Sequence, residues 1–125
     1  MTSAILVDDN LEMVEKLADM LGEFGIEVLD IAINGKDAVE LYQKHYPDVV
    51  LTDMQMPEYD GIYALESIRK IDTDAKVIMV TADLREESEE AFLENNASAV
   101  VYKPYDLNQI IKTIHGVVDG TLEMC

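Results

Sequence analysis

VVLTDMQMPEYDG, Val49 to Gly61, is an apolar run that stops on a single carboxylate, Asp53, and gives way to two methionines, a proline and an Asp-Gly pair. The run does not alternate between apolar and polar residues. That is expected of a strand covered on both faces, which occurs in a parallel sheet with helices above and below it. Asp53 then needs a reason to sit at the end of a buried strand: it either caps the following segment or is presented there to react.

Working outward, the same unit recurs. Ala4 to Val7 (AILV) is an apolar run too short for a helix, and Asp9 or Asn10 then caps a helix with apolar residues at Leu11, Val14, Leu17, Ala18 and Leu21. Gly25 ends it. Val28 to Ile33 is a second strand closed by Asn34-Gly35, and the helix after it buries Ala38, Leu41 and Tyr42 before Pro47 stops it. Beyond the Asp53 loop, Ile62 to Ile71 is helical through Leu65, Ile68 and Ile71, and Lys76 to Thr81 is another buried strand. Glu86 to Asn96 is the least amphipathic helix, with Ala91, Phe92 and Leu93 as its apolar residues. Ala99 to Tyr102 is the fifth strand. Asp106 caps a last helix striped by Leu107, Ile110, Ile111, Ile114 and Val118, and residues 119–125 form a frayed tail. Five strand–helix units imply an α/β fold, a doubly wound five-stranded parallel sheet with helices on both faces. Such sheets place their sites outside the carboxyl ends of the strands, where strand order reverses.

The totals agree with that reading. A chain of 125 residues, nearly half apolar, fits one domain, residues 1–125 with a core of about 4–118. No apolar run approaches the ~20 residues that span a bilayer. The N-terminus has no basic stretch ahead of an apolar one, so cytoplasm is the expected location. Cys125 is the only cysteine, which excludes an internal disulfide framework. With 26 acidic against 9 basic residues the formal charge is −17. Such a chain repels phosphate backbones and anionic lipid, so direct nucleic-acid binding and membrane insertion are not expected. The acidic run Arg85 to Glu90 reads as a solvated helix face.

Four of the five strands deliver polar groups to one edge: the first Asp8 and Asp9, the third Asp53, the fourth Thr81, the fifth Lys103. Two like charges ~4 Å apart repel by about 4 kcal/mol at an effective dielectric near 20, and one lysine cannot offset three carboxylates. A divalent cation can. An all-oxygen set favours Mg²⁺, with Mn²⁺ as a substitute, and leaves coordination positions for phosphate oxygens. The chemistry this suits is phosphoryl transfer, with one carboxylate as nucleophile, metal and Lys103 on the equatorial oxygens, and Thr81 as a hydroxyl donor.

Asp8-Asp9, DMQMPEYDG from Asp53, VTA from Val80 and KPY from Lys103, each at the end of the right strand, resemble the receiver domain of two-component response regulators. The resemblance runs from Ala4 to about Val118. It implies a flavodoxin-like sheet of order 2-1-3-4-5 with five helices, an order that also describes the chemotaxis regulators. It further implies Asp53 as phosphoacceptor, and Asp9, Asp8, Asp53 and the Gln55 backbone carbonyl around Mg²⁺. Thr81 and Lys103 would meet the phosphoryl group, Pro104 would follow a cis bond, and small Ala82 would leave access open. Pro57 and Gly61 would shape the loop, while Gln55 and Asp83 occupy positions that tune phosphoryl lifetime. One departure stands out. The aromatic residue expected three positions before the lysine is Val100, and Tyr102, on the same face by strand alternation, is the candidate to take over its role.

Each residue also has a plainer reading. Asp8 and Asp9 suit N-caps, Thr81 an ordinary strand end, Lys103 a solvated lysine. Met54, Met56 and Met79 are packing residues, and His45 and His115 surface ones. The plain readings together need four coincidences at one edge, so the function expected is a phosphorylated signalling switch, not an enzyme with a separate substrate. Its partners would be a sensor histidine kinase or histidine phosphotransfer protein and a downstream protein target. The alternative is the receiver half of a longer regulator. A haloacid-dehalogenase-type phosphatase would carry Asp where Gln55 stands, and a flavin carrier a hydroxyl- and glycine-rich loop in place of DDNLEM.

Overall fold

The computed structural model describes residues 1–121. Five strands alternate with five helices: β1 (Thr2–Val7), α1 (Leu11–Glu23), β2 (Ile26–Ala32), α2 (Gly35–His45), β3 (Val49–Asp53), α3 (Gly61–Ile71), β4 (Val77–Thr81), α4 (Glu86–Glu94), β5 (Ala99–Tyr102) and α5 (Leu107–Asp119). All pairings are parallel and the sheet order is β2-β1-β3-β4-β5, as the repeated strand–helix units imply. No helix among the described residues is long and apolar enough to cross a membrane.

The two faces of the sheet carry separate cores. On one, Ile5, Val7, Val50, Val77 and Met79 meet Ala38, Tyr42, Leu65, Ile68 and Phe92 from α2, α3 and α4. On the other, Leu6, Leu51, Ile78, Val80 and Val101 meet Val14, Leu21, Ile110, Ile114 and Val117 from α1 and α5. Each fully buried aliphatic side chain contributes about 1.5–3 kcal/mol. The unalternating strands are thus buried because both faces are covered, and Met79 and Met56 are core residues while Met54 is half-buried.

Several local expectations are corrected. β1 and β2 each start two residues early, and β2 stops at Ala32, leaving Ile33 exposed. A register shift leaves Leu29 without a partner, as Ala4 pairs with Val28 and Ile5 with Asp30. Leu11 is exposed, since it opens α1 at the solvent end, and Leu41 is half-buried. α3 takes in Gly61 and ends with Ile71 exposed, and β4 starts at Val77, one residue later than expected. α4 ends at Glu94 and buries Ser88 and Phe92 but not Leu93, because i and i+4 share a helix face and i+5 does not. The α5 stripe includes Gly116 and Val117, with Val118 only half-buried. Asp119 belongs to that helix, closed by Gly120 at φ 80°, rather than to a tail; residues 122–125 lie outside the described ones. His115 is exposed, but His45 is half-buried, its Nε2 3.3 Å from Asp30 Oδ2.

Two polar anchors hold the end of the sheet remote from Asp53. The Tyr42 hydroxyl donates to Asp72 at 2.8 Å. The Arg69 guanidinium donates to the carbonyls of Thr73 and Ala75 on one side and of Asn95 and Asn96 on the other, at 2.7 to 3.3 Å.

Candidate functional site

Asp53 is the last residue of β3, and its side chain is only 13% exposed. Its Oδ1 accepts two hydrogen bonds, from Lys103 Nζ at 3.0 Å and from the Met54 N–H at 3.1 Å. Lys103 reaches it from just past β5, where its own N–H donates to the Thr81 carbonyl at 2.8 Å. The Lys103–Pro104 peptide is cis.

Asp8 and Asp9 follow β1, and carboxylate oxygens of Asp8, Asp9 and Asp53 lie within 4.8 Å of one another. Neither Asp8 nor Asp9 caps α1. Asn10 does, its side chain accepting the Met13 N–H, and Asp8 in turn accepts the Asn10 N–H at 2.9 Å. Asp9 is exposed and faces the cluster without a capping role. Burial, and then the charges of Asp53 and Asp9, raise the Asp8 pKa against the opposing pull of the Asn10 N–H and Lys103. Burial pushes the Lys103 ammonium down, but its hydrogen bond to Asp53 and the charges of Asp53 and Asp8 outweigh it, so its pKa is raised. Three oxygen donors within reach of each other, one with its ionised form disfavoured, fit a hard divalent cation such as Mg²⁺.

The loop beyond Asp53 is folded back tightly. The Gly61 N–H donates to the Met54 carbonyl at 2.9 Å, and a Cβ on Gly61 would stand 2.4 Å from the Asp53 carbonyl oxygen. Only glycine lets α3 start this close to the acceptor. Gln55 is exposed in this loop and Ala82 is exposed after β4. Thr81 is 2% exposed, and its Oγ1 accepts the Asp83 N–H at 2.9 Å. Tyr102 pairs with Thr81 across β4 and β5 and is exposed, while Val100 packs against the α2–α4 core. A cavity of about 400 Å³ opens beside Asp53 and Lys103, walled by Met13, Val14, Leu17 and Tyr105.

Asp83 holds a set of contacts that strand-end spacing does not reveal. Its carboxylate accepts from the Arg85 N–H and guanidinium at 2.7 to 3.0 Å and from the Ser88 hydroxyl at 2.6 Å. The Arg85 hydrogen bonds, and then Ser88, depress its pKa far below the usual carboxylate range. The signal was present in ADLREES, an Asp two residues before Arg and five before Ser at a helix start.

Residues 4–115 match the family model described as "Response regulator receiver domain". The chain belongs to the response regulator receiver family. The receiver is 36% identical over 111 residues to the chemotaxis protein CheY of Bacillus subtilis, covering 89% of this chain and 92% of that one. It is 34% identical to CheY of Thermotoga maritima, covering 90% and 94%. Among solved structures it resembles a CheX–CheY–BeF3–Mg²⁺ complex from Borrelia burgdorferi at TM-score 0.86 and 31% identity, covering 93% of the receiver and 88% of that chain. A DNA-binding response regulator of the LuxR family from Staphylococcus aureus superposes at TM-score 0.88 and 31% identity, covering 94% and 99%.

Proposed function

We propose that this receiver accepts a phosphoryl group on Asp53 from a phosphohistidine of a sensor kinase or phosphotransfer protein, and signals through contact with a protein target in the cytoplasm. The observation that carries it is Lys103 Nζ at 3.0 Å from Asp53 Oδ1 beside the Asp8–Asp9 pair. Both hydrogen bonds to Asp53 land on Oδ1, which leaves Oδ2 to attack phosphorus. The P–O bond to Asp53 forms as the P–N bond to imidazole breaks, and the imidazole leaves with its electron pair and takes up a proton. Lys103 neutralises charge on the transferring oxygens, and Thr81 offers its hydroxyl to them. Asp8, Asp9, Asp53 and the Gln55 carbonyl would hold Mg²⁺, which when bound supplies positive charge that offsets the carboxylates and the phosphoryl oxygens. The chemistry is self-modification, with no separate substrate turned over.

The test is intact mass after incubation with acetyl phosphate and Mg²⁺. Wild type gains one phosphoryl group and Asp53→Asn gains none; equal labelling of the two rejects the assignment. A second reading is a receiver built into a longer regulator. A receiver protein of Anaeromyxobacter, 36% identical over 107 residues, is covered for only 44% of its length.

A further inference from the structure

Helix α4 is held unequally at its two ends. Its interior contacts are few, since only Ser88 and Phe92 are buried. Its last turn leads into Asn95 and Asn96, whose carbonyls are gripped by the Arg69 guanidinium. Its first turn has no such backbone anchor. The N-cap residue, Arg85, makes no side-chain capping bond to the helix. What holds that turn is the Asp83 carboxylate, whose side chain is 5% exposed and accepts from Ser88 and from both the backbone and guanidinium of Arg85. The same residue's N–H donates to Thr81 Oγ1. Asp83 therefore joins a strand-end hydroxyl to a helix start through one residue, with its backbone facing one and its carboxylate the other.

We propose that Asp83 is a positioning residue that couples the Thr81 hydroxyl to the first turn of α4. The inference rests on the phosphoryl-acceptor reading of Asp53. When the Thr81 hydroxyl turns toward the phosphoryl oxygens, the Asp83 N–H either follows its acceptor or loses it. If it follows, the carboxylate draws Ser88 and Arg85 with it, and α4 pivots about the end fixed by Arg69. If the carboxylate is removed, Thr81 turns without carrying the helix. Asp83 thus holds the unmodified arrangement in place, and weakening its grip lowers the cost of leaving that arrangement.

The experiment titrates beryllofluoride, a phosphoryl mimic, with Mg²⁺ into wild type, Asp83→Ala, Ser88→Ala and Ser88→Thr, and follows hydrogen exchange along α4. Loss of the single Ser88 hydrogen bond to the charged acceptor should tighten beryllofluoride binding in Ser88→Ala by about tenfold, and Asp83→Ala, which loses the Arg85 bonds as well, should tighten it at least as much. Ser88→Thr, which keeps the hydroxyl, should match wild type. Exchange should rise in the first turn of α4 and stay unchanged at Asn95 and Asn96. Thr81→Val, tested without beryllofluoride, should raise exchange in the same first turn, because it removes the acceptor of the Asp83 N–H. Unchanged affinities, or an exchange gain spread evenly over α4, would overturn the coupling. Wild type that fails to bind beryllofluoride rejects the Asp53 reading instead, and the Thr81→Val exchange result then decides on its own whether Thr81 and α4 are linked.

Discussion

At Asp53 the two side-chain hydrogen bonds among the described residues both fall on Oδ1, one of them from the Lys103 cation. Lys103→Met should therefore leave Asp53 able to react but slow the gain of mass from acetyl phosphate by roughly 10²–10³, the usual cost of losing one charge-stabilising donor. Unaltered kinetics would show that the ion pair is structural only. These residues were legible in the sequence because each stands at a strand end, where a polar residue after a buried run is conspicuous. The choice between Asp9 and Asn10 as helix cap was not, since both are good caps and only the loop geometry selects Asn10. His45 was misread because its partner, Asp30, lies on a different element. Far from the site, Tyr42 is buried and donates to Asp72, and burial first, then that bond, raises the phenol above its usual range. A raised folded-state pKa gives stability that is fully present below the unfolded value near 10 and is lost as pH rises through the folded one. Tyr42→Phe should cost about 1 kcal/mol at neutral pH, and urea unfolding above pH 10 should show wild type losing stability with pH more steeply than the variant.

Elements follow from periodicity, but their ends follow from chain-specific contacts. The β3–α3 connection shows why, for it is fixed by what a glycine lets approach. A methyl group at Gly61 would collide with the Asp53 carbonyl oxygen and with Met54 Cα, both backbone atoms that cannot swing aside. Gly61→Ala should destabilise by at least about 1–3 kcal/mol and lower the phosphorylation rate as well, measured by urea unfolding and by mass. At the β5 edge of the sheet, Tyr102 pairs with Thr81 of β4. We propose that Tyr102 partly takes over the aromatic role that Val100 cannot fill. Its NMR ring signals should shift when beryllofluoride is added, and unchanged signals alongside a moved Thr81 would show that the response leaves by another route. Helix α4 was the element least well read, because its inner face uses a serine and a phenylalanine rather than an apolar stripe.

Over the whole molecule, charge sets the conditions under which the fold is most stable. The formal charge is −17, and three of the 26 acidic residues, Asp8, Asp9 and Asp53, bring carboxylate oxygens within 4.8 Å of one another at one place. A pair at that separation repels by about 3 kcal/mol at an effective dielectric of 20, and by less where Asp9 meets water. Mg²⁺ at a hundred times its dissociation constant should stabilise wild type by about 2.7 kcal/mol. Asp9→Ala should reverse the order: at least as stable as wild type in chelator, less stable in Mg²⁺. Curves that fail to cross would place the metal elsewhere. The sheet order and the two cores were legible because five repeated units admit few arrangements. The unequal hold on α4 was not, because an arginine that binds carbonyls leaves no trace in the residues it binds.

At Asn95 and Asn96 the Arg69 guanidinium donates to main-chain oxygens, and every polypeptide carries those oxygens whatever its side chains. The outward residues Glu86, Glu87, Glu89, Glu90 and Glu94 contribute nothing to that anchorage. Substitution along the outer face of α4 therefore leaves the carbonyl grip at the end of that helix undisturbed.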